Sequence, residues 1–283
     1  MAIDLTVKFA PYVDEQFKNE SKRSLLTNND YDWTGAHTIK VYKISTSAMN
    51  DYKRNGETLT GDASTWSRFG PVKDLDAATE EMTLKNDRSF TFAIDKLDQD
   101  ETAQQLAGAS ALARQDREVV IPEVDEYTYG VMVAGAGHKP EAVALSADNI
   151  YDELIKASSA LDDAEVPDAG RVLLVVPTVY AMLKKSSDIG MNTDIAQEMR
   201  NRGVLAMIDG ASVIKVPASR VPEGFGFMLA HPSATVAPVK LEDYRVHQDP
   251  PGISGSLVEG RICYDAFVLD NKADAIYYQA MTA

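Results

Sequence analysis

Residues 87–102 read DRSFTFAIDKLDQDET, and this stretch decides the fold. Its first half closes a longer extended run, EMTLKNDRSFTFAID (81–95), and reads as a strand. Its second half opens a helix: Asp98-Gln-Asp-Glu101 places acidic groups in a first turn, where the helix dipole favours them. The helix continues through ETAQQLAGASALARQDREV, with small residues at Ala103, Ala107, Gly108, Ser110 and Ala111 that permit close approach of a second element. Pro122 is expected to stop it.

Toward the N-terminus, residues 46–88 are rich in Asp, Glu, Lys, Arg, Thr and Gly. Leu59, Trp66, Phe69, Val72, Leu75, Met82 and Leu84 are spread thinly over them. Loops beyond about 15 residues without structure of their own are uncommon in compact domains. The segment is therefore expected to be a two-stranded excursion, one arm through GETLTG (56–61) and the other through 81–95. Such a ribbon has too little core to stand alone, so its stability should come from lying on another subunit. Ahead of it, HTIKVYKI (37–44) reads as a strand. TNNDYDWTG is turn chemistry, and YVDEQFKNESKRSLL suits one amphipathic helix with Tyr12, Val13, Phe17 and Leu25 on its apolar side.

Toward the C-terminus, EVDEYTYGVMVAGAG leads to a second helix, SADNIYDELIKASSALDDA, capped by Ser146 or Asp148 and buried along Tyr151, Leu154, Ser158 and Leu161. RVLLVV (171–176) is a continuous apolar run, the signature of a strand buried on both faces. Pro177 starts a short helix, TVYAMLKKSS. GVLAMIDGASVIKVP (203–217) reads as a strand pair turning at Asp209-Gly210. FGFMLAHPSATVAPV supplies a further strand and turn, and the last stretch, RICYDAFVLDNKADAIYYQA, reads as two strands around Asp270-Asn271-Lys272.

Composition narrows the function. With 283 residues, 45% hydrophobic and 25% charged, the chain can bury a sizeable core as one large domain or two small ones. No run approaches the roughly 20 apolar residues of a membrane span. MAIDLTVKFAPYVDEQF lacks the basic-then-apolar pattern of a secretory signal, so maturation in the cytoplasm of the producing cell is expected. A single cysteine, Cys263, excludes an intramolecular disulfide and a thiolate metal cage; in RICYDAFVL it reads as a buried structural thiol. The net charge of −15, from 28 basic against 43 acidic side chains, disfavours binding driven by phosphate neutralisation.

Motifs for chemistry are missing from the sequence. The histidines, His37, His138, His231 and His247, stand in no nucleophile motif, and GISGS (252–256) is not G-x-S-x-G. GAGHK (135–139) fails as a phosphate loop because His138 and Pro140 break the pattern. The pairs Asp30/Asp32 and Asp162/Asp163 do not match a calcium loop. No catalytic, cofactor or metal residue is therefore assigned. The charged and aromatic residues of the excursion, Arg54, Trp66, Arg68, Lys73 and Arg88, are the candidate inter-subunit contacts, where opposite charges on a neighbour would set register. The alternative is a simply solvated face.

Three stretches together resemble the tailed-phage major capsid proteins of the Hong Kong 97 type: DRSFTFAIDKLDQDET (87–102), EVVIPEVDEYTYG (118–130), and VVPTVYAMLKK (175–185) followed by GVLAMIDGASVIKVP (203–217). The resemblance covers most of the chain and implies an α+β fold. It sets an N-terminal arm at 1–35 and a peripheral domain at 36–147, with an extended loop at about 46–94 and a spine helix at about 97–121. An axial domain then spans 148–240, and 241–283 return to the peripheral domain. It also implies a structural, non-enzymatic subunit that needs no cofactor. The subunit would self-assemble through hexamers and pentamers into an icosahedral virion shell around double-stranded DNA, bound without sequence specificity, in the host cytoplasm. Portal and scaffolding are implied partners; with no long helical leader and an initiator-like Met1, scaffolding is expected to be a separate protein. Lys53, Lys73 and Lys85 match no cross-linking motif closely enough to inherit that chemistry. By this reading, deleting residues 50–88 should leave a soluble subunit that forms no closed shell. Competing readings are an encapsulin-like cargo shell, an α/β enzyme built around RVLLVV, and a tail or neck component.

Overall fold

The computed structural model describes residues 21–28, 30–31, 33, 37–54, 67–71, 74–101, 108–186 and 207–282. The expected N-terminal helix lies largely outside them; its last residues, Arg23–Leu25, form a single 3-10 turn. The chain divides into two compact units: Met1–Asp32 with Lys85–Ala283, and Trp33–Leu84.

The larger unit is built on a five-stranded sheet in the order β12-β7-β4-β6-β5. The run RVLLVV becomes β4, Val172–Val175, with every residue buried as its unbroken apolar pattern requires. It lies parallel to β6 (Ala211–Lys215) and antiparallel to β7 (Phe225–Ala230), which pairs in turn with β12 (Ile276–Ala280). The expected hairpin is present: β5 (Met207–Ile208) turns into β6 through Asp209 and Gly210, both at positive φ, the backbone of a tight primed turn. Helices α4 (Ile150–Asp163) and α5 (Pro177–Lys185) belong to the same core, contributing Ile150, Leu154, Leu161, Val179 and Leu183. The face of α4 is shifted from Tyr151 and Ser158, which are half-buried, to Ile150, Glu153, Leu154, Ala157 and Leu161. Asn149, rather than Ser146 or Asp148, precedes the helix; its Oδ1 accepts the Ser146 N–H at 2.7 Å and its Nδ2 donates to the Ala144 carbonyl at 2.9 Å. Beyond the C-terminus of α4, the buried Arg171 donates to the Val166 and Pro167 carbonyls and pairs with Asp162 at 2.7 Å, a cation where the dipole favours one.

A second sheet holds β3 (Asn86–Asp95), β10 (Gly255–Tyr264) and β9 (Val239–Gln248), all antiparallel, with β10 central. The extended run 81–95 is thus not one ribbon arm. It breaks at Leu84–Lys85, where the Lys85 N–H is held by the buried Asp265 carboxylate at 2.8 Å, and its second part pairs with β10 over ten residues. The Asp95 Oδ1 accepts the Leu97 N–H at 2.8 Å, so Asp95 caps α1 (Lys96–Glu101) one turn earlier than the Asp98 start expected. Opposite Asp95 in this pairing, Gly255 has φ 140°, and a Cβ there would sit 2.1 Å from the Ile94 carbonyl oxygen. Gly255→Ala is therefore expected to cost about 1–3 kcal/mol in strain alone, and more from a backbone clash. Gly252→Ala, also at positive φ but in open space, should cost less. Paired melting curves check the ordering; equal Tm values would contradict it.

The helix does not stop at Pro122. α2 (Gly108–Gln115) passes into a π-helical turn at Asp116–Val120 and on into α3 (Ile121–Gly135). Proline in a regular α-helix lacks a donor and its ring strikes the carbonyl four residues back. The wider π turn just ahead relieves that clash, and Pro122 falls in the first turn of α3, where its missing N–H is tolerated.

Where Ser21, α3 and the 3-10 turn Ala218–Arg220 meet, the core turns polar. Asp125 of α3 accepts from Ser21 Oγ at 2.6 Å and pairs with Arg220 Nη1 at 2.8 Å. Both charged side chains are at least 95% buried.

The smaller unit is a two-stranded ribbon. β1 (Thr38–Ile44) and β2 (Ala77–Thr83) pair in register from Thr38↔Thr83 to Ile44↔Ala77. Thr38 and Thr83 hydroxyls bond at 2.9 Å, Lys43 pairs with Glu80 at 3.1 Å, and Lys40 pairs with Glu81. The partner of the returning strand is thus the 37–44 strand; GETLTG lies outside the described residues. This unit spans 33–84 rather than the expected 46–94, because β1 joins it and residues 85–94 belong to the second sheet.

Candidate assembly surfaces

No catalytic site is assembled among the described residues. His231 bonds Ser233 Oγ at 2.7 Å, but the contact is a local cap of the turn Pro232–Ala234. Its Nε2 faces the Ala169 carbonyl at 3.2 Å and so carries the proton; Nδ1 then accepts from Ser233, and no carboxylate orients the ring as a triad requires. His138 stacks on Tyr277, and His247 faces Glu259 at 3.3 Å on the exposed sheet. No group of three or more metal-ligating side chains occurs among the described residues, and none of their helices is long and apolar enough to cross a membrane. Cys263 is half-buried, and burial raises its thiol pKa, the direction of an inert thiol.

The surface of the ribbon unit is unusual instead. Met49 is 98% exposed, Phe69 76% and Tyr42 72%, and Ile44, Tyr52 and Leu75 are exposed as well. Tyr52 and Phe69 meet edge to face with centroids 5.0 Å apart. Each such side chain, once fully covered, would contribute about 1.5–3 kcal/mol. Charges accompany them: Arg68 Nη1 donates to the Arg54 carbonyl at 3.1 Å, and Lys53 N–H to the Arg68 carbonyl, so the segments around 53 and 68 run together. Of the five predicted contact residues, Arg54 and Arg68 are brought together here. Arg88 lies elsewhere, on β3, where its Nε donates to Glu123 of α3 at 2.8 Å. Trp66 and Lys73 lie outside the described residues. Sequence reasoning did not assign Tyr42, Ile44, Met49, Tyr52 or Phe69 as contacts. One signal was present: HTIKVYKI carries apolar residues on both faces of a strand that has only one partner.

No protein-family model matches the sequence, and no curated protein does. Solved structures do match, end to end. The capsid structure of the cyanophage P-SCSP1u matches with a TM-score of 0.76 at 14% identity, over 98% of this chain and 93% of that one. The mature capsid asymmetric unit of bacteriophage PhiM1 gives 0.75 at 13%, over 99% and 93%. A Mycobacterium phage Che8 structure gives 0.73 at 16%, over 98% and 97%. The chain has the Hong Kong 97-like capsid fold. Within this α+β fold α2 and α3 run on as one continuous helix.

Tyrosines line that helix. Tyr264 Oη donates to Glu123 at 3.3 Å, and burial followed by the Glu123 charge pushes its pKa up to about 12. Burial also raises the pKa of Tyr127, which donates to Asp265 at 2.7 Å. A phenol whose pKa is higher folded than unfolded contributes fully below the unfolded value of 10 and loses that contribution as pH rises through its folded value. Stability should therefore fall between pH 10 and about 12. Tyr264→Phe should move the alkaline unfolding midpoint upward relative to its own stability at neutral pH. An unchanged midpoint difference in circular dichroism titrations would contradict the assignment.

Proposed function

We propose that this chain is the major capsid protein of a tailed phage, a structural subunit without catalytic activity. It assembles through hexamers and pentamers into an icosahedral shell around double-stranded DNA and resides in the virion. The observation that carries this reading is the end-to-end match to phage capsid structures, which leaves no large insertion to host another activity. The exposed apolar ribbon supports it, because an extension that covers a neighbour adds interface without enlarging the core. Many weak, repeated contacts then give a strong assembly. The net charge of −15 suits a shell that encloses DNA rather than one that wraps it by phosphate contacts. Portal and scaffolding proteins are the expected partners, and assembly takes place in the host cytoplasm. An encapsulin-like shell is disfavoured because the matched structures named as capsids are those of phages.

Negative-stain electron microscopy of the protein expressed alone and with its neighbouring genes tests the reading. Icosahedral shells, capsomer rings or tubes are expected, and DNA content separates a phage head from a protein-cargo shell. A monodisperse monomer under both conditions would overturn it.

A further inference from the structure

A pocket of about 180 Å³ lies between the π turn and the second sheet. Its apolar walls include Phe90, Val120, Val124, Ile262 and Tyr264, which form a small cluster apart from the main core. Nearer its start the same helix fits the sheet closely: a Cβ on Gly108 would sit 2.7 Å from Val246 Cγ1. At Asp116–Val120 the π turn winds one more residue into the helix. Val119 there is 45% exposed, and helix and sheet leave the pocket between them.

Size, polarity and charge set what such a pocket takes. Protein interiors hold few voids larger than a water molecule, and an apolar cavity of about 150 Å³ is enough for benzene. A space of 180 Å³ therefore suits a single six-membered ring. Water needs roughly two to four polar partners per molecule, and the apolar walls serve it poorly. Arg88 and Glu123 stand at the rim. Arg88 Nε donates to Glu123 Oε1 at 2.8 Å, and Tyr264 Oη donates to the same oxygen at 3.3 Å. Each rim charge already faces its opposite, so a charged ligand would be desolvated without a counter-ion of its own. A neutral one carries no such cost.

We propose that this pocket is a binding site for one small, neutral, ring-sized apolar molecule, of which benzene is the simplest case. Bound there, the molecule bridges the π turn to β3 and β10 and holds the helix to the sheet, with the Arg88–Glu123 pair at the entrance. The site lies within one chain and does not depend on shell assembly.

Calorimetry of the full-length protein with benzene near aqueous saturation, against benzoate at matched ionic strength, tests the site. Benzene should raise Tm by about 2–6 °C, the gain from a ligand at ten or more times its Kd in a chain of this size. Benzoate should leave Tm unchanged. On the unassembled subunit, methyl signals of Val120, Val124 and Ile262 should move by the ring current of the bound molecule, while those of Leu154 and Leu161 in the main core stay in place. Ile262→Phe, which puts a ring into the pocket from the sheet side, should lose the Tm gain; the wild-type methyl shifts carry the test even where that variant fails to fold. No Tm gain with benzene, or a gain without shifts at those three residues, would overturn the site. An equal gain with benzoate would overturn its selection of a neutral ligand.

Discussion

Asp125→Ala is expected to remove most of the folded protein. Asp125 is 99% buried and its carboxylate accepts from Ser21 and Arg220, so its loss takes a charged acceptor from an arginine that is itself 96% buried. Breaking one side of a buried pair costs about 3–5 kcal/mol, a large share of the roughly 5–15 kcal/mol that holds a domain folded. The soluble fraction should collapse, and Tm of what remains should fall by roughly 6–20 °C. The cost belongs mainly to the buried positive charge that loses its counter-ion. Asp125→Leu combined with Arg220→Met should therefore recover part of the loss, because an apolar replacement of both partners removes the uncompensated charge. A single variant that melts within about 2 °C of the wild type, under 1 kcal/mol at this size, would mean that water reaches the pair.

Neither partner in that junction is legible in the sequence, since 95 residues separate Asp125 from Arg220 and nothing local couples them. The same distinction separates what was readable from what was not. RVLLVV, Asp209-Gly210 and Pro177 were readable because burial on both faces, a positive-φ turn and a proline start are local demands that local residue types meet. Pro122 misled because its local rule is sound for an α-helix, and the π turn that suspends the rule has no sequence signature. The run 81–95 looked like one arm because strand pattern reports neither its partner nor the sheet: β2 pairs with β1 nearby, β3 with β10 more than 150 residues away. β9, KLEDYRVHQ within Val239–Gln248, was not anticipated, because an edge strand with charged and half-exposed positions lacks apolar alternation. Among the candidate contacts, charge was easier to notice than exposure. Arg54 and Arg68 stand out by residue type, whereas Met49 and Phe69 matter because most of their surface is exposed.

Replacing residues 46–75 by Asn-Gly should give a folded subunit that forms no closed shell. The cut is placed by geometry: Ser45 N–H already donates to the Asp76 carbonyl at 2.9 Å, directly after the Ile44↔Ala77 pair, so a two-residue primed turn can close β1 onto β2. A deletion of 50–88 confounds the question. It removes β2 and takes Asn86, Asp87 and Arg88 from β3, the register partners of Tyr264, Cys263 and Ile262, so it would damage the second sheet as well as the ribbon. The shorter cut removes Met49, Tyr52, Phe69 and Leu75 and spares every strand among the described residues. Losing one covered side chain worth about 1.5–3 kcal/mol weakens a contact roughly 10–100-fold, and a shell repeats that contact around its whole surface. Met49→Ser and Phe69→Ser should accordingly raise the concentration needed for assembly stepwise, while the Tm of the free subunit stays within about 2 °C, since exposed side chains contribute little to it. Light scattering across a concentration series reads the first quantity and calorimetry the second. Normal shells from the Asn-Gly variant would remove the ribbon from assembly altogether; a subunit that unfolds would mean that this stretch supports its own chain rather than a neighbour's.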